Sequence, residues 1–198
     1  MEVRARASHP SPPGTLGFGF WNDPFTISLG QGGAAQRLPA PPYTIWFFHG
    51  SEENDIRLNP KLPGCGWKAS SIRSPKVPGI ILAPAAVVAI SLSTIPIFRS
   101  GIMKIIQRIA TTEEVVLDCP LDQWQTYSII WDIGEVIFHV EGREVLRIDD
   151  PPTGLLGFVA WIDNQFAVAS PKSRFRFGVI PTIENQWFEL EIKHLGKL

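Results

Sequence analysis

The sequence predicts an all-β sandwich with an inserted helical segment, and three observations lead there. Residues 123–165 read as short strands separated by tight turns, the last carrying Trp161 into a polar Asp163-Asn164-Gln165 tip. Eighteen prolines and seventeen glycines in 198 residues suit a loop-rich chain of many strands. Residues 43–49, YTIWFFH, are aromatic and β-branched, the composition of a buried strand.

Residues 1–14, basic and rich in Pro and Ser, read as a flexible arm, and residues 15–198 as one domain. Strands are expected at 15–20 and 24–29, with Trp21-Asn22-Asp23 between them. Gly30, Gly33 and the prolines at 39, 41 and 42 mark a loop before the strand at 43–49. A polar loop over 51–66 has room for a short strand at 55–58, and 67–72 resumes extended structure. From Val77 to Phe98 no residue is charged, a length that raises the question of a membrane span. Pro84 and Pro96 interrupt that run, and a span would split one core into halves. Over 99–110, Ile102, Ile105, Ile106 and Ile109 share one arc of a helix, with Lys104 and Arg108 on the other. Residues 80–110 are therefore expected as a helical lid on the sandwich. Their basic arc offers a weak contact to a membrane surface or a protein.

Strands return at 113–119, 123–132, 135–141 and 143–148. Glu141-Gly142 has the form of a two-residue hairpin turn. Residues 155–162 are almost wholly apolar and suggest a central strand buried on both faces. Segments 174–180 and 187–194 close the domain. In the last, Glu189 and Glu191 alternate with Phe188, Leu190 and Ile192, the pattern of one wet and one buried face.

Composition excludes several functions. A net charge of −1 without a basic stripe argues against nucleic acid. Cys65 and Cys119 have neither a disulfide framework nor metal spacing, and two reduced thiols are expected. No apolar leader is visible after Met1, so the expected location is cytoplasmic. His9, His49, His139 and His194 lack a second ligand at metal spacing, and no cofactor motif appears.

The hairpin WQTYSIIWDIGEVIFHVEGREVL, the strand GLLGFVAWIDNQ and the strand YTIWFFHG together resemble the concanavalin A-like jelly-roll superfamily. The likeness is to its laminarinase-like glycoside hydrolases of family 16. It implies a jelly-roll sandwich with a sugar-binding groove. Those hydrolases carry Glu-x-Asp-x-Glu on one strand, which aims three carboxylates into the groove. The corresponding segment here reads GCGWKASSI, with Trp67, Ala69 and Ser71 at the alternating positions. The resemblance thus implies the fold without the family's chemistry.

The expected function is non-catalytic binding of a carbohydrate or another small, partly apolar molecule in an aromatic groove. Trp21, Trp46, Trp67 and Trp161 would supply contact area, and Lys68 a charge. Asn22, Asp23, Asp163 and Asn164 would fix orientation by hydrogen bonds. Against this stands a plainer role for Trp21-Asn22-Asp23 and Asp163-Asn164 as turn-capping residues. A second expectation is an enzyme of unrecognised chemistry with Asp163, Asp23 or His49 as acid or base. A shifted carboxylate pKa in the groove would favour it.

Overall fold

The computed structural model describes residues 1–22, 42–57, 59–74, 101, 111–170, 173, 175–181 and 185–196. Thirteen strands form among them: β1 (Glu2–Ala7), β2 (Thr15–Trp21), β3 (Tyr43–Gly50), β4 (Asp55–Ile56), β5 (Gly66–Arg73), β6 (Thr111–Val116), β7 (Gln125–Trp131), β8 (Val136–Val140), β9 (Arg143–Ile148), β10 (Gly157–Asp163), β11 (Gln165–Ala169), β12 (Arg176–Val179) and β13 (Phe188–His194). Sheet A runs β13-β1-β7-β8-β9 and sheet B runs β10-β2-β3-β5-β6, both antiparallel throughout. A small third sheet runs β12-β11-β4. The expected all-β sandwich is the architecture observed. The expected strand at 24–29, the uncharged run at 77–98 and the helical lid at 80–110, Gly101 apart, lie outside the described residues.

Period-two alternation makes the core. Val3, Ala5 and Ala7 of β1, Tyr127 and Ile129 of β7, and Val136, Phe138 and Val140 of β8 are buried from sheet A. Leu16, Phe18, Ile45, Phe47, Trp67 and Ala69 meet them from sheet B. The sheets touch through rings: Phe47 lies 5.4 Å from Phe138 in an edge-on contact, and Phe18 lies 5.4 Å from Tyr127. Each such buried side chain contributes about 1.5–3 kcal/mol.

Three expectations change. Residues 1–14 are not a free arm, because β1 is an interior strand of sheet A, paired with β13 on one side and β7 on the other. The alternation Val3-Ala5-Ala7 against Arg4-Arg6 drives this. It buries one face and leaves Arg4 and Arg6 to pair with Glu191 (3.2 Å) and Glu189 (2.7 Å) on the other. Both guanidinium groups also stack over Trp124, at 5.1 and 4.8 Å. Secondly, the apolar strand at 155–162 is β10, and it lies at the end of sheet B rather than its centre. Its apolarity has two sources. Phe158 and Ile162 pack on the core, while Trp161 packs on the opposite face. Thirdly, Trp67 belongs to the core, as shown below.

Turns follow their residues. Glu141 and Gly142 both have positive φ, 50° and 72°, and Val140 pairs with Arg143 across them. This is the two-residue hairpin turn the sequence suggested, with Glu in a position that favours Asn or Asp.

Candidate functional site

The face of sheet B turned away from the core carries the candidate site. Antiparallel pairing sets its side chains in rows, three of which cross all five strands. One row is Trp161, Gly17, Phe48, Lys68 and Val116. The next is Val159, Gly19, Trp46, Ser70 and Glu114, and the third Gly157, Trp21, Thr44, Ile72 and Thr112. Strands about 4.8 Å apart make each row roughly 19 Å long. The β10–β2–β3 half of the face is aromatic, and the β5–β6 half is mainly polar.

The aromatic half is one connected cluster. Trp46 lies 5.2 Å from Trp161, 6.0 Å from Trp21 and 5.8 Å from Phe48, with which it stacks. Phe48 and Trp161 are 6.1 Å apart. All four rings are partly buried, whereas the core rings beneath them are sealed. Glycines make this possible. A Cβ on Gly17 would lie 2.6 Å from Cη2 of Trp161, and one on Gly19 would lie 2.5 Å from Cα of Trp46. Gly17 leaves room for the Trp161 indole, and Gly19 lets the backbone of β3 approach closely at Trp46. Gly19 also has φ of +150°, which side chains rarely adopt.

The polar residues expected to meet a ligand have structural partners. Trp161 Nε1 donates to Thr15 Oγ1 (3.0 Å), and that hydroxyl donates to Asp163 Oδ1 (3.0 Å). Asp163 Oδ1 also accepts from the backbone N–H of Gln165 (2.9 Å), which makes Asp163 the cap of the β10–β11 turn. Asn164 Nδ2 donates to the Ile180 carbonyl (3.0 Å). Asn22 Oδ1 accepts from the Tyr43 backbone N–H (3.0 Å) and extends the β2–β3 pairing beyond Trp21. Asp23 lies outside the described residues. Trp67 faces the core, stacked on Phe47 at 6.0 Å and edge-on to Tyr127 at 5.7 Å, and takes no part in the outer cluster.

Lys68 stands on the outer face but is only 4% exposed, and it forms an ion pair with Glu114, 7% exposed, at 3.3 Å. Its Nζ also donates to the Pro63 carbonyl. Glu114 is the residue that sequence reasoning missed. Burial is the main cause holding its carboxyl above the usual carboxylate range, offset by the Lys68 charge and hydrogen bond and by the Asn59 backbone. Among the described residues, Glu114 Oε1 and Thr112 Oγ1 are buried without a hydrogen-bond partner. The available signal was the period-two pair Thr112 and Glu114 at the start of the strand expected over 113–119.

His49 sits on the core side of β3, 3% exposed, with Nε2 on the Pro12 carbonyl at 3.1 Å. It is therefore on the opposite side of the sheet from the aromatic cluster. Among the described residues no three His, Cys, Asp or Glu side chains are grouped to hold a metal ion. Cys65 and Cys119 are free. Compared with known proteins, the chain matches no family model and no curated protein.

Proposed function

We propose that the protein is a non-catalytic binding sandwich whose outer face on sheet B takes a carbohydrate or another small, partly apolar molecule. The observation that carries this reading is the connected, partly buried cluster of Trp21, Trp46, Phe48 and Trp161. Such rings offer large contact area with little side-chain entropy to lose. Sugars stack on them through their C–H faces. The concanavalin A-like jelly-roll resemblance supports the same reading, since it too implies a sandwich that receives sugars on a sheet face.

Tryptophan fluorescence titration with laminarihexaose, cellohexaose, maltohexaose and 8-anilinonaphthalene-1-sulfonate tests it. Binding of at least one probe is expected, weakened about tenfold or more by Trp46→Ala. If no probe binds, or if Trp46→Ala binds as the parent does, the reading is rejected.

One observation favours an enzyme instead. Glu114 stands on the same sheet face as the rings, and burial holds its carboxyl above the usual carboxylate range despite the Lys68 charge. In that reading Glu114, rather than Asp163 or His49, supplies the acid or base. Hexaose hydrolysis that Glu114→Gln abolishes would establish it over binding alone.

A further inference from the structure

The small third sheet, away from the aromatic face, presents a strand edge of its own. We infer that β12 is a docking edge for a second copy of this chain. Two copies join there by antiparallel strand pairing, about a two-fold axis at Gly178.

β12 is an unguarded edge. Among the described residues nothing pairs with it on the side away from β11. Phe177 is 77% exposed and Val179 64% exposed, so the chain itself leaves both side chains in water. Phe175 lies 6.0 Å from Phe177 and lengthens the apolar strip. Edge strands are commonly blunted by charge. The two ends of sheet A follow that rule, with Glu189, Glu191 and Lys193 on β13 and Arg143, Glu144 and Arg147 on β9. In β12 only the first residue, Arg176, is charged.

Backbone phase then selects the partner. The Ile180 N–H donates to the Asn164 carbonyl (2.7 Å), in register with the pairs Gln165–Val179 and Phe166–Gly178. Residues that bond toward a given neighbour alternate along an antiparallel strand. Ile180, Gly178 and Arg176 therefore turn their backbone groups to β11, and Phe177 and Val179 turn theirs away. A second β12 running the opposite way offers the same two residues in reverse order. Phe177 exchanges both backbone bonds with Val179 of the partner subunit, and Val179 with Phe177 of the partner subunit. Gly178 meets Gly178 of the partner subunit on the axis, at the non-hydrogen-bonded position where Cα atoms come within about 4.5 Å.

Side chains agree with this register. Phe177 beside a valine is a favourable aromatic and β-branched cross-strand pair. The antiparallel sense sets the two Arg176 side chains about 13 Å apart along the strands, beyond the screening length at physiological salt. An isologous contact of this kind closes at two copies. It is also small. One aromatic side chain brings about 150–250 Å², so two Phe177 and two Val179 cover on the order of several hundred Å². A stable interface buries about 1,200 Å² or more, so the pair forms reversibly and at high concentration.

Sedimentation equilibrium of the full chain tests this. The mean mass should rise from one chain towards two between about 10 μM and 1 mM, and stop there. Val179→Pro removes an N–H that the phase above turns away from β11, and Phe177→Lys puts a charge on the edge. Each should raise the dissociation constant about tenfold or more while the melting temperature stays within about 2 °C. Ile133→Lys, at an exposed site in the β7–β8 turn, should pair as the parent does. If Val179→Pro folds poorly, Phe177→Lys decides alone. A chain that stays single at about 1 mM overturns the inference, and leaves β12 for a strand of another protein. So does a pair that the folded variants leave intact, or a mass that climbs past two copies.

Discussion

His49 shows how one side chain ties stability to pH. Burial pushes its pKa below the ordinary 6.5, although the Pro12 carbonyl opposes this. The unfolded chain therefore takes up a proton that the folded chain resists, and stability falls as pH drops below about 6.5. The fall continues until the lowered folded value is passed. Thermal melting should show a lower midpoint at pH 5 than at pH 7.5, with the difference reduced in His49→Asn. Equal pH dependence in the two chains would reject this account. Asp163 makes a separate case. Its Oδ1 accepts from both Thr15 and Gln165, and Asp163→Ala removes both bonds. Urea unfolding should show a loss of about 1–3 kcal/mol. A loss below about 0.5 kcal/mol would mean that the turn holds without its cap. The sequence offered both readings of Asp163, as ligand contact and as turn cap, because each wants an Asp at a strand end. Only the Thr15 and Gln165 contacts separate them.

Strands place residues by parity, and parity explains most of what the sequence concealed. In YTIWFFH both faces of β3 are aromatic, so alternation could not say whether Trp46 or Phe47 points inward. The same ambiguity assigned Trp67 to the groove, although its β5 neighbour Lys68 occupies the outer face. Glu114 escaped notice because an acidic residue on a strand is ordinarily solvated. Register sets it across from Ser70 and within reach of Lys68, where its side chain is 7% exposed. The reverse error occurred at β1. Its basic, Pro-rich surroundings outweighed a clear Val3-Ala5-Ala7 alternation that was legible throughout. In β2 the glycines set how closely the neighbouring strands and side chains pack. Gly17→Val should force Trp161 off the strand, because Cβ would also meet the Phe47 carbonyl at 2.5 Å. Overpacking of this kind costs about 1–3 kcal/mol, measurable as a drop in melting temperature. A blue or red shift of the tryptophan emission should accompany it. Unchanged stability would show that Trp161 is free to swing aside.

At the level of the whole molecule, the two-sheet architecture was legible because it rests on many repeated signals: alternation, hairpin turns and proline-rich breaks. The order of strands within each sheet was not, because it depends on pairings between distant segments. Glu2 pairs with His194, and Gly157 with Trp21. Alternation records which face a residue takes but not which strand lies beside it.

The junction of β1 with β13 has a further consequence for a chain that loses its last strand. With β13 in place, the backbone of β1 is satisfied along both edges. A chain ending at residue 186 would bare one of them as an open row of amide and carbonyl groups. The charges that Glu189 and Glu191 bring to that margin would leave with it. Open edges recruit other chains. Light scattering should show the shortened protein growing into assemblies whose size rises with concentration, while the intact chain goes no further than a pair. If the shortened chain also stops at a pair, Arg4 and Arg6 alone suffice to guard the edge. A single proteolytic cut between β12 and β13 would then set only stability, and otherwise it would set the state of assembly.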